Sequence, residues 1–282
     1  MSILHVKQKW FTVAPWKNYT LSESYAEIER EYPMVLDRRN FDVEEAAVPA
    51  HQREISMRDL TYTVGSRDLL KDIRMSFEPR KKYLILGDKD SGTEELIEIL
   101  MKKITAYKGS ITICEKELEK VEKGKRCRDL SLVSSRIPVI KGSVYENVLL
   151  DGKSDWTKVR DSMGKVGLLK LENENIKTED LSDIEKKRIS IARALVDHSS
   201  ILILDETAGS ENNAEEYEIE ELILNMREMT VLSISHRLTK SLMEKYDKIF
   251  ILDKGSIIEE GTFSELLLNN GNFYNRYVSS ET

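Results

Sequence analysis

Cysteine and histidine are scarce. Cys114 and Cys127 are too few for a disulfide framework and have no metal-ligand spacing, and the four histidines are scattered. That pattern excludes structural zinc and fits a reduced, cytosolic compartment. Long apolar runs are also missing. Stretches such as Ile201-Leu202-Ile203-Leu204 are strand-sized, well short of the roughly 18–20 residues that span a bilayer. The opening Met1-Ser2-Ile3-Leu4-His5-Val6-Lys7-Gln8 does not read as the apolar core of a signal peptide. Nor is there an excess of positive charge. The formal net charge is −7, which argues against a general nucleic-acid or anionic-lipid surface. The basic clusters at Arg80-Lys81-Lys82, at residues 123–128 and at Lys186-Lys187-Arg188 have acidic neighbours and read as solvated faces. What remains is a chain 40% apolar and 33% charged, long enough for one large domain or two modest ones.

The first fifty residues differ from the rest. They carry Trp10, Phe11, Trp16, Tyr19, Tyr25, Tyr32 and Phe41, with one expected helix over 21–31. Thr20 and Glu23 suit a capping box there, and Leu21, Tyr25 and Ile28 share a face. Residues 44–50 read as a linker. The arm is either poorly structured or a segment that docks on a partner. From residue 54 the pattern becomes strand–turn–helix, with strands expected over 55–63, 73–77, 83–86, 110–114 and 130–133, and helices over 94–104 and within 144–172. A helix from 181 to 196 precedes strands over 201–204 and 231–235, which flank a helix over 214–227. A hairpin of 249–252 and 256–258 about Asp253-Lys254-Gly255 leads to a short final helix. This order predicts an α/β fold with a mostly parallel sheet and an antiparallel subsheet at its start.

Three segments carry candidate chemistry. In Tyr83-Leu84-Ile85-Leu86-Gly87-Asp88-Lys89-Asp90-Ser91-Gly92-Thr93-Glu94, Gly87 and Gly92 stand five apart between a strand and a helix, as in a phosphate-binding loop. By itself this spacing is equally an ordinary strand-to-helix turn. Downstream, Leu181-Ser182-Asp183-Ile184-Glu185 opens a helix, and Ile201-Leu202-Ile203-Leu204-Asp205-Glu206 ends a buried strand in two carboxylates. His236 follows another strand about 30 residues later.

In this order and spacing the segments resemble the ATPase domains of ABC transporters of the exporter type, over residues 54–277. The resemblance implies a P-loop NTPase fold from residue 53 to 282, with a helical subdomain at about 135–195 and residues 1–52 as an arm or linker. It implies Mg-ATP as cofactor, cradled by Gly87, Asp88, Lys89, Asp90, Ser91, Gly92, Thr93 and Glu94. Val64 takes the place of the aromatic that stacks on adenine, with Tyr62 nearby, and Ser182 lies in the signature. Asp205 and Ser135 fall at the magnesium positions. Glu206 would polarise the attacking water, and His236 would contact the γ-phosphate.

The departures from the family are as informative. Thr93 stands where a lysine is expected, and Glu94 stands where a magnesium-binding hydroxyl is expected. Asp88, Asp90, Glu94 and Glu95 crowd the loop against Lys89. A lost lysine removes charge-assisted hydrogen bonds worth about 1.5–3 kcal/mol each. A carboxylate about 4 Å from a phosphate costs about 4 kcal/mol at an effective dielectric near 20. Where the family has leucine-serine-glycine-glycine-glutamine, Asp183 adds charge and Ile184 adds bulk. Ser182 and Glu185 still form the S-x-x-E pattern that caps a helix. Ser135 replaces the family's glutamine, and Asn212 replaces the aspartate of the loop 207–212.

The expectation is therefore a transporter nucleotide-binding domain with weak or absent ATP binding and hydrolysis. Its partners would be a transmembrane subunit or domain and a second nucleotide-binding domain, at the cytoplasmic face of a membrane, with no nucleic acid. A non-catalytic interaction protein reusing the fold, or an active enzyme binding phosphate through Lys89 or Arg136, are the alternatives. DNA-repair and translation relatives fit less well, because the sequence has neither a long coiled-coil insertion nor a second copy of the ATPase unit.

Overall fold

The computed structural model of the chain describes residues 54–120, 130–134, 139, 142–149, 155–171, 175–176, 180–205 and 214–281. The arm, its expected helix and the linker lie outside the described residues. The fold begins with an antiparallel hairpin of β1 (Ile55–Val64) and β2 (Arg67–Phe77). The strand expected at 73–77 thus starts six residues earlier. The pairing slips between Leu60 and Tyr62, opposite Ile73 and Leu70, so two exposed residues separate the buried Leu70 and Ile73. That bulge breaks the period of two by which a half-buried strand is read.

β3 (Lys82–Gly87) leads through a tight loop into α1 (Thr93–Leu100). The helix expected to reach 104 stops at Leu100, where Met101 caps it and Lys102 turns to φ 55°. β4 (Lys108–Ile113) pairs with β1 and with the short β5 (Lys116–Glu117). Cys114, expected inside that strand, is in the turn after it at φ 52°. β6 (Leu130–Val133) follows as expected. The middle of the chain holds β7 (Gly142–Ser143), α2 (Val144–Leu149), α3 (Trp156–Lys165) and β8 (Asn175–Ile176). After it come α4 (Asp183–Val196), β9 (Ile201–Asp205) and α5 (Ala214–Leu224), the last a turn shorter than expected. β10 (Thr230–Ser235), α6 (Lys240–Met243), β11 (Lys248–Asp253) and β12 (Ser256–Gly261) complete the strands. Two closing helices, α7 (Phe263–Leu268) and α8 (Asn272–Glu281), replace the single one expected.

Six strands form the central sheet in the order β12-β11-β3-β10-β9-β6. All neighbours are parallel except β12 against β11. The second sheet, β2-β1-β4-β5, is antiparallel. Alternation along the buried strands divides the core in two. Tyr83 and Ile85 of β3, with Ile201 and Ile203 of β9, join α1 and the antiparallel sheet in one cluster. Leu84, Leu86, Leu202 and Leu204 join the helices on the opposite face. Strands buried on both faces read as continuous apolar runs, which is the character of Ile201-Leu202-Ile203-Leu204. On the helical face, Arg193 of α4 is buried and ties α2 to α4: its Nε donates to the carbonyl of Asn147 at 2.8 Å.

Candidate functional site

The parallel strands all end on one edge of the sheet, and of the expected site residues Gly87, Asp205 and His236 stand at or next to those ends. Register puts Ile85 of β3 beside Ile234 of β10, and Ile234 beside Asp205 of β9. Gly87 closes β3 two residues further on, and His236 immediately follows β10. Ligand sites in open parallel sheets lie beyond such carboxyl ends.

The loop between β3 and α1 is held by backbone contacts. The Ser91 amide donates to the Asp88 carbonyl at 3.0 Å, and the Leu96 amide donates to the Gly92 carbonyl at 3.0 Å. From the hairpin turn between β11 and β12, the Gly255 amide donates to the Ser91 carbonyl at 2.8 Å. The Lys71 amide of β2 in turn donates to the Gly255 carbonyl at 2.7 Å. Gly92 caps α1 at φ 103°, and a β-carbon there would sit 2.7 Å from the Leu69 carbonyl oxygen. Only glycine meets both demands. At Gly255, with φ 80°, a β-carbon would come still nearer the Leu69 carbonyl oxygen, so loop, hairpin turn and β2 are stitched at glycine contacts. Asp90 is also left-handed, at φ 69°, a conformation aspartate tolerates better than most residues.

Side chains divide sharply between inside and outside. Ser91 and Thr93 are buried, their hydroxyl oxygens 3.4 Å apart. Asp88, Lys89, Asp90 and Glu94 are exposed, and Glu95 is half-buried. Two carboxylates, Glu94 and Glu95, thus occupy the first turn of α1, where the positive end of the helix dipole favours negative charge. Asp88 accepts from Arg276 of α8 at 2.5 Å, a partner 188 residues away that no local pattern signals.

Asp205 is buried at the end of β9, and its Oδ2 accepts from the Ser134 hydroxyl at 3.1 Å. Glu206 and Ser135 lie outside the described residues, as do Arg136 and Asn212. Ser134 was missed in the sequence because its only marker is its place one residue past β6. His236 is half-buried in a bend, and the next residue, Arg237, donates its amide to the Ser235 hydroxyl at 3.1 Å. Val64, at the end of β1, is 51% exposed, and Tyr62 is half-buried.

Ser182 is the N-cap of α4. The expected capping box is present: the Glu185 amide donates to the Ser182 hydroxyl at 3.2 Å, and the Ser182 amide donates to the Glu185 carboxylate at 2.9 Å. Behind it, Lys187 is wholly buried and pairs with the buried Glu216 of α5 at 3.5 Å. The other oxygen of Glu216 accepts from Arg237 at 2.5 Å. One turn along α5, Glu220 accepts from the Tyr246 hydroxyl at 2.6 Å, and burial pushes its carboxyl above the usual range.

A parallel sheet bearing a glycine-bounded strand–loop–helix, with a buried carboxylate two strands away, defines the P-loop class of nucleotide-binding folds. The family model described as ABC transporter matches residues 70–209. The chain is 28% identical over 272 residues to the Glutathione/L-cysteine transport system ATP-binding/permease protein CydC of Haemophilus influenzae, covering 91% of this chain and 46% of that protein. It is 29% identical over 259 residues to the Lactococcin transport/processing ATP-binding protein LcnC-like of Lactococcus lactis subsp. lactis, covering 87% and 36%. A solved structure titled "Structure of a bacterial Atm1-family ABC exporter with ATP bound" superposes with a TM-score of 0.73 at 20% identity. That match covers 86% of this chain and 44% of that one, and it shows the shared fold. The chain belongs to the ABC transporter family, as a nucleotide-binding domain of the exporter type. It spans less than half the length of the curated relatives it matches. No helix among the described residues is long and apolar enough to cross a membrane.

Proposed function

We propose that this chain is the nucleotide-binding domain of an ABC exporter in which the ATPase scaffold persists while Mg-ATP binding and hydrolysis are weak or absent. The observation that carries the reading is the inversion of charge at the phosphate loop. A buried threonine, Thr93, stands where a cation is required. Exposed carboxylates, Asp88, Asp90 and Glu94, ring the mouth, and Arg276 is engaged with one of them. A triphosphate brings several negative charges to this place, and magnesium requires a hydroxyl ligand where Glu94 stands. The residues present do not fit Mg-ATP held in the family's manner, and no catalytic step is assigned to the site. Asp205 would keep its buried carboxylate as a structural acceptor for Ser134.

On this reading residues 53–282 form the nucleotide-binding domain, 135–195 its helical subdomain, and 1–52 an arm. The domain pairs with a transmembrane subunit or domain and with a second nucleotide-binding domain at the cytoplasmic face of a membrane. The relatives' names as ATP-binding/permease and transport proteins support this assignment of partners. Titration with a fluorescent ATP analogue, with and without magnesium, tests the site. No saturable binding in the micromolar range is expected. Micromolar binding that is lost in Lys89→Ala would establish a rebuilt phosphate site and overturn the proposal.

A further inference from the structure

Charged side chains are rarely buried without a partner, because removal from water costs more than most single contacts return. Lys187 is wholly buried and Glu216 nearly so, hence their position needs an account. They lie on different helices: Lys187 on α4, five residues past the capping serine of the signature, and Glu216 in the first turn of α5. The third member, Arg237, follows His236 directly and is 18% exposed. Glu216 therefore uses both carboxylate oxygens, Oε1 toward Lys187 at 3.5 Å and Oε2 toward Arg237 at 2.5 Å.

Further along, α5 is tied to residues that follow α6. Glu220, at the next turn, accepts from Tyr246, and Glu221 pairs with Lys245. On the same buried face, α5 contributes Ile219 and Ile223 to the core that α4 shares. The Arg237 amide is itself tied to Ser235, so a pull on the Arg237 side chain acts on a short, pinned turn that includes His236.

We propose that Glu216 is a positioning residue, a two-armed brace that fixes the signature helix and the His236 turn relative to each other. Its functional meaning rests on the reading of the chain as a nucleotide-binding domain. In the dimers that such domains form, the signature serves the partner's site and the histidine serves the chain's own. A brace between them makes both surfaces one rigid unit and supplies from within the protein an ordering that needs no nucleotide.

The test uses the full chain alone, without nucleotide or partner, so its outcome is independent of whether the phosphate loop binds ATP. Amide hydrogen exchange is followed at residues 182–187 and 236–243 in the parent, Lys187→Met and Arg237→Gln. Removing either arm leaves Glu216 partly uncompensated, and the expected result is exchange about ten-fold faster at the opposite end of the brace. Lys187→Met should loosen 236–243, and Arg237→Gln should loosen 182–187. Exchange in β1 and β2 should stay at the parental rate, and Arg237→Lys should restore most of the protection. Lys245→Ala, which breaks a contact of α5 that bypasses Glu216, should leave 182–187 unchanged. Should Lys187→Met not fold, the Arg237 arm, which is less buried than Lys187, still reads the coupling. Acceleration confined to the mutated side, or spread evenly through the protein, would overturn the proposal.

Discussion

On the proposed reading, replacing Thr93 with lysine and Glu94 with serine should convert the loop from one that opposes a triphosphate to one that holds it. The magnitude follows from the two changes separately. A carboxylate about 4 Å from a phosphate charge opposes it by about 1 kcal/mol in bulk water and about 4 kcal/mol at an effective dielectric near 20. Glu94 is exposed, so the lower part of that range applies. A lysine ammonium donating to phosphate oxygens contributes about 1.5–3 kcal/mol per bond. Together they amount to at least about 2.5 kcal/mol, close to two orders of magnitude in affinity. The backbone already supports the change, since Gly92 keeps its left-handed cap and the Gly255 contact holds Ser91 in place. Titration of parent, Glu94→Ser and the double variant with a fluorescent ATP analogue and magnesium separates the terms. Glu94→Ser alone should gain roughly five-fold, and the lysine should supply the rest. A double variant that binds no tighter than the parent, or a parent that already binds in the micromolar range, refutes the electrostatic reasoning.

Other consequences concern stability. Ser182→Ala removes the hydroxyl that accepts from the Glu185 amide, while the Ser182 backbone amide keeps its bond to the Glu185 carboxylate; the change should cost about 1 kcal/mol, lowering the melting temperature by roughly 2–4 °C. Ser233→Ala should act in the opposite sense: the Ser233 hydroxyl is buried with no hydrogen-bond partner among the described residues. Its removal should raise the melting temperature by a few degrees, roughly 1 kcal/mol. Lys82 gives a pH dependence. Burial pushes its ammonium down to about 8 from 10.5, against the attraction of Asp247. Between these values the unfolded chain holds the proton and the folded chain releases it, so this group's contribution to stability grows as pH rises from about 8 to 10.5. Denaturant titrations across that window should show a shallower rise in Lys82→Met than in the parent.

Much of the architecture was legible because it depends on local pattern. The four-residue apolar run before Asp205 requires burial on both faces. Ser182 followed three residues later by Glu185 specifies a capped helix wherever the chain runs. The glycine spacing of the loop and the order of its companion motifs carried the family. Helix ends were less legible: α1 stopped at Leu100, although the apolar pattern continues to Ile104, because Lys102 turns left-handed. β2 was shortened in the reading by a bulge that only its partner strand reveals.

By itself, then, the sequence determined the composition of the loop after β3: which residues lie between Gly87 and Glu94, and which of them carry charge. Tertiary structure alone decided who their neighbours are. Arg276 reaches Asp88 from α8, Ser134 donates to Asp205 from the end of the neighbouring strand, and Glu216 joins Lys187 to Arg237. The partners stand from 21 to 188 residues apart in the chain, and for the buried pairs the packing of the core selects which of many possible pairings is made. Local propensity acts over a turn or two of chain, whereas the pairing of buried charge is settled by the packing that excludes water around it.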